Sequence, residues 1–163
     1  MGSEMCIRDR ILNYCEHLRT AYTTKDIDFL RQVFSDEALI IVGNVVKESA
    51  TTAGIGSDSR VTYALHTKRD YLARLAKVFA INKTVDVRFS DFRIMRHPTK
   101  DGIYGVSLRQ RYSSDRYSDD GWLFLLWDFR NPSMPLIHVR TWQPSATVGS
   151  SEGVIDISDF NLE

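Results

Sequence analysis

An α+β domain, with three helices from the N-terminal half packed on a curved, mostly antiparallel sheet, is the fold class this sequence predicts. Three observations predict it. Apolar residues recur at helical spacing in three segments before residue 80. Three strand signals separated by turn signals follow one another from Ile103 to Gln143, as in an antiparallel meander. Between these regions an alternating segment changes parity, and one extra residue there bends a strand and curves its sheet. Helices kept to one side of such a sheet define the class.

Taken in order, Ile11, Leu12, Cys15, Leu18 and Tyr22 mark an amphipathic helix over 9–22. Thr23 and Thr24 offer hydroxyl caps to a second, shorter helix striped by Ile27, Leu30, Val33 and Phe34. Ser35–Glu37 ends it, and Ala38–Val46 reads as a β-branched strand. Lys47–Arg60 is rich in Ser, Thr and Gly and reads as a mobile loop, either a lid or a tolerated insertion. Gly54 and Gly56 lack the following Gly-Lys-Ser/Thr of a phosphate-binding loop. A short strand over Val61–His66 leads to Thr67, whose hydroxyl caps a helix over 68–80. Val85, Val87 and Phe89 then alternate on one parity, and Phe92 and Ile94 on the other, so the bulge falls near Ser90-Asp91. The meander itself consists of Ile103–Ser114, a turn over Asp115–Gly121, Trp122–Phe129, and Leu136–Trp142.

At 163 residues the chain suits one domain of 10–144, followed by a tail over 145–163 that docks in part. Residues 1–9 lack the layout of a signal peptide and resemble a translated sequencing adaptor. They are set apart as a non-native or disordered leader, with the natural protein continuing upstream. Location is therefore left open, an exported or periplasmic protein being the outcome if that upstream part carries a signal or anchor. Lys plus Arg equals Asp plus Glu at 21 each, which gives nucleic-acid binding no electrostatic support. No apolar run reaches the length of a membrane span. The two cysteines, Cys6 and Cys15, and the scattered His17, His66 and His97 lack ligand spacing, so no metal and no cofactor is expected.

Tyr22-Thr-Thr-Lys-Asp26, Leu30 and Phe34-Ser-Asp-Glu-Ala38, followed by a strand, resemble the nuclear transport factor 2-like superfamily. The Gly121-Trp122 turn and the closing strand Leu136–Trp142 fit its last hairpin, so the resemblance covers about residues 10–143. Ile40–Gly43, Tyr104–Val106, Tyr117–Asp119 and His138–Pro144 are further similar to Bacteroidota proteins that carry this domain. The resemblance implies a cystatin-like cone, shared by SnoaL-like cyclases and ketosteroid isomerases, which often pairs through its outer sheet. It also implies an acid/base set inside the cone, and the Tyr-plus-two-carboxyl set of the isomerases does not map onto this chain.

The candidate ligand-binding residues are Arg109, Arg111, His138, Arg140 and Trp142. Arg109 and Arg111 stand at period two, as do His138 and Arg140, so each pair is expected on one face of its strand. Arginine forks suit carboxylate or phosphate groups, and Trp142 suits stacking. The alternative is a solvated sheet face with the arginines paired to Asp or Glu. Asp128 and His138 are the weak catalytic candidates. Asp128 ends an apolar strand, and its alternative role is an ion pair; His138 is of the residue type most used as a general base but lacks a mapped partner. The expectation is thus a non-catalytic module that binds a small anionic or peptidic ligand or assembles proteins. A SnoaL-like enzyme for proton transfer on a small apolar substrate and a purely structural dimerisation domain are the alternatives. Trp122–Phe129 is apolar on both faces, which leads to an expected homodimer through the outer sheet.

Overall fold

The structure is a computed structural model, and it describes residues 3–47 and 59–145. Most of the expected loop over 47–60, and the tail beyond Ser145, lie outside the described residues. The elements follow the order α1 (Ser3–Thr23), α2 (Ile27–Val33), β1 (Phe34–Lys47), β2 (Ser59–His66), α3 (Lys68–Ile81), β3 (Val85–Arg96), β4 (Ile103–Ser114), β5 (Ser118–Asp128) and β6 (Leu136–Pro144). The strands form one sheet in the order β2-β1-β6-β5-β4-β3, antiparallel throughout except where β1 meets β6. This is the expected α+β class, three helices on a mostly antiparallel sheet.

The helices pack where their apolar stripes dictate. Ile11, Cys15 and Leu18 of α1 and Leu72, Leu75 and Phe79 of α3 enter one core with Val106, Leu108, Leu123, Leu125, Trp127 and Ile137 of the sheet. α1 lies against β3, and α3 lies against β1. Lys25, in the left-handed region at φ 60°, turns the chain between α1 and α2. The cap of α2 is Asp26, which accepts from the Phe29 N–H at 3.0 Å, rather than Thr23 or Thr24. Those threonines return their hydroxyls to carbonyls one turn back in α1. Thr67 caps α3 as expected.

Two differences from expectation shape the interior. Phe34 closes α2 and opens β1, so the first strand begins four residues earlier than its β-branched run. β5 begins at Ser118, so the β4–β5 turn shrinks to the region closed by Ser114 N–H donating to Tyr117 O, and Gly121 lies within the strand rather than in a turn. The bulge foreseen in β3 is present. Pairing with β4 shifts between Ser90 and Arg93, and Asp91 takes φ 55°. A second bulge, unforeseen, lies in β6 opposite Leu126 and Trp127.

Candidate ligand pocket

The alternation of the central strands assigns every candidate to a face. On β4 the even positions Val106, Leu108, Gln110 and Tyr112 look inward, which leaves Arg109 and Arg111 outside. There Arg109 makes a bidentate pair with Asp120 of β5, its Nε at 2.9 Å from one oxygen and its terminal nitrogen at 2.5 Å from the other. Arg111 approaches the same carboxylate at 3.9 Å. These two arginines and their carboxylate form a solvated, cross-strand charge cluster.

The second bulge parts His138 from Arg140. Leu126 pairs with Val139 and Trp127 with Ile137, so His138 is the extra residue and turns to the outer side. Its Nε2 lies 2.7 Å from Oδ2 of Asp128, and Arg130 grips the same carboxylate through Nε and a terminal nitrogen, the latter at 2.7 Å. Burial alone would raise the Asp128 carboxyl, but the Arg130 and His138 hydrogen bonds outweigh it and hold the group far below the usual carboxylate range. Asp128 is an ion-pair anchor, remote from the cavity described next. Its depressed value stabilises the fold above the unfolded carboxyl value of about 4 and loses that contribution as pH falls through the folded one. Asp128→Asn is expected to cost about 1–3 kcal/mol at pH 7 and to flatten acid destabilisation, as read by urea unfolding at pH 7 and pH 3. Equal midpoints for both proteins at pH 7 would remove that anchoring role.

Arg140 and Trp142 look the other way. Together with Tyr22 of α1, Tyr71 of α3, and Gln110, Tyr112 and Asp119 of the sheet, they line a cavity of about 580 Å³ between α3 and the inner sheet. Arg140 is only 7% exposed. Its guanidinium lies 5.1 Å from the centre of the Tyr71 ring, and among the described residues no carboxylate comes within ion-pair distance of it. Its Nε has no hydrogen-bond partner among the described residues. Burial opposes its charge, but Tyr71, Tyr22 and Asp119 outweigh burial, so the group stays cationic. The Tyr22 and Tyr71 hydroxyls share a hydrogen bond of 2.5 Å, and burial carries Tyr22 well above its usual value. The indole of Trp142 lies over Gly121, where an added Cβ would stand 2.6 Å from the ring nitrogen.

Asp119 is the residue sequence reading missed. It sat in a presumed turn, yet the inward row of β5 runs Asp119, Gly121, Leu123, Leu125, so the signal was an alternation that extended back past the glycine. Burial raises its carboxyl above the ordinary value, with the Tyr117 hydroxyl beside it. At the mouth, the Asp115 carboxylate accepts from the backbone N–H groups of Lys83 and Thr84 and from the Thr84 hydroxyl. That ties the β4–β5 turn to the start of β3. Among the described residues no cluster of His, Cys, Asp and Glu is placed to hold a metal, and no helix is long and apolar enough to cross a membrane.

No protein family matches this sequence, and no curated protein is similar to it. Solved structures do share its shape. Bd1075 of Bdellovibrio bacteriovorus superposes with a TM-score of 0.62 at 16% identity over 84% of this chain; the match spans 40% of that longer protein. An NTF2-like protein from Cytophaga hutchinsonii gives 0.61 at 16% identity, covering 88% of this chain and 99% of that one. A naphthalene 1,2-dioxygenase chain, from a structure with indole in the active site, gives 0.64 at 6% identity, covering 88% and 81%. With three helices on one six-stranded, mostly antiparallel sheet among the described residues, this chain has the nuclear transport factor 2-like cone fold.

Proposed function

We propose that this domain is a ligand-binding module that takes a small anion with an apolar or aromatic body into the cone. The observation that carries this reading is Arg140, a buried cation in the cavity lining that has no carboxylate partner among the described residues. Desolvating a guanidinium is costly, and an anion entering a pocket walled by Tyr71, Tyr112 and Trp142 offsets that cost. Of the residues singled out in the sequence, Arg140 and Trp142 belong to this site; Arg109, Arg111 and His138 are engaged on the outer face. A thermal-shift screen of carboxylates and phosphates tests it, because a ligand bound only by the native state raises the melting temperature. Hits are expected to stabilise the wild type and not Arg140→Ala. Shifts that survive the substitution would place the ligand elsewhere.

A second reading, a SnoaL-like proton-transfer enzyme, draws support from Asp119 instead of from Asp128 or His138. A half-buried carboxyl raised by desolvation, inside an aromatic cavity, suits a general base. Its test is exchange of α-protons of cyclic ketones in deuterated buffer, followed by NMR. Exchange no faster than in Asp119→Asn would end that reading.

The outer face supports a further part of the proposal, a homodimer. Leu39, Tyr63 and Leu65 of β1 and β2 point outward with 38%, 48% and 69% exposure, an apolar edge stripe that a second copy would cover. Leu65→Glu is expected to convert a dimer to a monomer in sedimentation velocity. A wild type that sediments as a monomer at high concentration would refute pairing.

A further inference from the structure

The polar groups of the cavity are of two opposite kinds, and this distinguishes its ligand further. Among the described residues four buried polar atoms of the lining lack partners: Nε of Arg140 and Nε1 of Trp142, which donate, and Oδ1 of Asp119 and Oδ1 of Asn82, which accept. A plain carboxylate answers only the first pair. It would also meet the half-buried Asp119 carboxylate, where like charges repel and an unanswered acceptor is costly.

The two kinds are separated along the sheet. Trp142 and Arg140 pair with Leu123 and Leu125 of β5, four and six residues beyond Asp119 on the same inward row. At about 3.4 Å per residue those positions lie roughly 14–20 Å from Asp119 at Cα. The Trp142 ring reaches back over Gly121, two residues from Asp119, and the Arg140 side chain comes near enough for the Asp119 charge to act on it, which leaves a gap the size of a small ring between guanidinium and carboxylate. Tyr112 stands opposite Asp119 and Tyr71 lies against the Arg140 guanidinium, so aromatic rings flank both polar ends of the cavity, which suits a flat ring.

We propose that the ligand is a small aromatic acid that carries a hydroxyl or amino donor at the end remote from its carboxylate. The carboxylate meets Arg140, the ring lies among the tyrosines, and the donor hydrogen-bonds to Asp119. This rests on the anion-binding reading above and adds to it a requirement for a second polar end.

The experiment is calorimetric titration of the whole chain with 4-hydroxybenzoate, 4-hydroxyphenylacetate and 4-hydroxycinnamate, their 4-amino counterparts, and the parent acids without a donor. At least one donor-bearing acid is expected to bind tenfold or more tightly than its parent. Asp119→Ala is expected to abolish that preference while leaving the parent acid's affinity unchanged or improved, and Arg140→Gln to weaken both. A wild type that binds parent and donor-bearing acids equally would overturn the inference and leave the anion site standing. A wild type that binds none of them would remove the aromatic-acid inference; carboxylate or phosphate hits in the thermal-shift screen that depend on Arg140 would still support the anion site. The comparison of ligands on the wild type needs no variant to fold.

Discussion

Trp127→Ala is expected to lose about 3–5 kcal/mol of folding stability, the largest effect of any single truncation on the inner sheet. Trp127 is fully buried and is the largest such side chain among the described residues. Its ring centre lies 6.0 Å from that of Tyr14 on α1 and 5.6 Å from that of Phe129, and Tyr14 in turn meets Phe129 edge-on at 5.8 Å. The indole therefore joins the first helix to the middle of the sheet, and its removal opens a void bounded by two rigid elements that cannot both close in. Against a total of about 5–15 kcal/mol for a domain of this size, that leaves a narrow margin. Urea unfolding reads the loss as a lower midpoint at unchanged slope. Trp142→Ala serves as the comparison, because its ring borders the cavity and has less packing to lose. Equal costs for the two would contradict the division between packed core and open pocket.

That division was partly legible in the sequence. Tyr104, Val106 and Leu108 alternate with Gly105 and Ser107, and the same parity carried two residues further puts Gln110 inside and Arg109 outside. The pattern of β4 thus already separated its arginines from the cavity. The β3 bulge was legible for the same reason, since apolar parity changes within one strand. The β6 bulge was not. Leu136-Ile-His-Val-Arg-Thr-Trp is compatible with an unbroken strand, and only its pairing with Trp127 shows that one residue is extra. Tyr22 and Tyr71 were legible as helix-stripe residues, but their shared hydrogen bond joins positions 49 residues apart and depends on how α1 and α3 meet. Asp119 was hidden by its company: Ser118, Asp119, Asp120 and Gly121 have turn chemistry, and β4 pairing overrides that preference.

Arg140→Met is expected to separate stability from binding. If the guanidinium were a structural element, its loss would destabilise the fold, as breaking a buried ion pair does by about 3–5 kcal/mol. It has no such pair among the described residues; the Tyr71 face and the Tyr22 hydroxyl adjoin it, and the half-buried Asp119 carboxylate, which acts on it from beyond ion-pair distance, keeps the Tyr117 hydroxyl beside it when the guanidinium is removed. Methionine fills much of the same volume without a charge to desolvate, so the unliganded variant is expected to be at least as stable as the wild type, with a gain of about 1–3 kcal/mol. The cost appears on the other side. An anion that relied on the guanidinium loses a charge-assisted hydrogen bond to a buried cation, and its affinity is expected to fall a hundredfold or more. Urea unfolding without ligand and titration with any hit from the thermal-shift screen read the two effects separately. A variant less stable than the wild type, with affinity retained, would make Arg140 a structural residue and return the cone to the structural reading. Stability raised and binding lost together would identify Arg140 as a charge kept for function in a core that folds better without it.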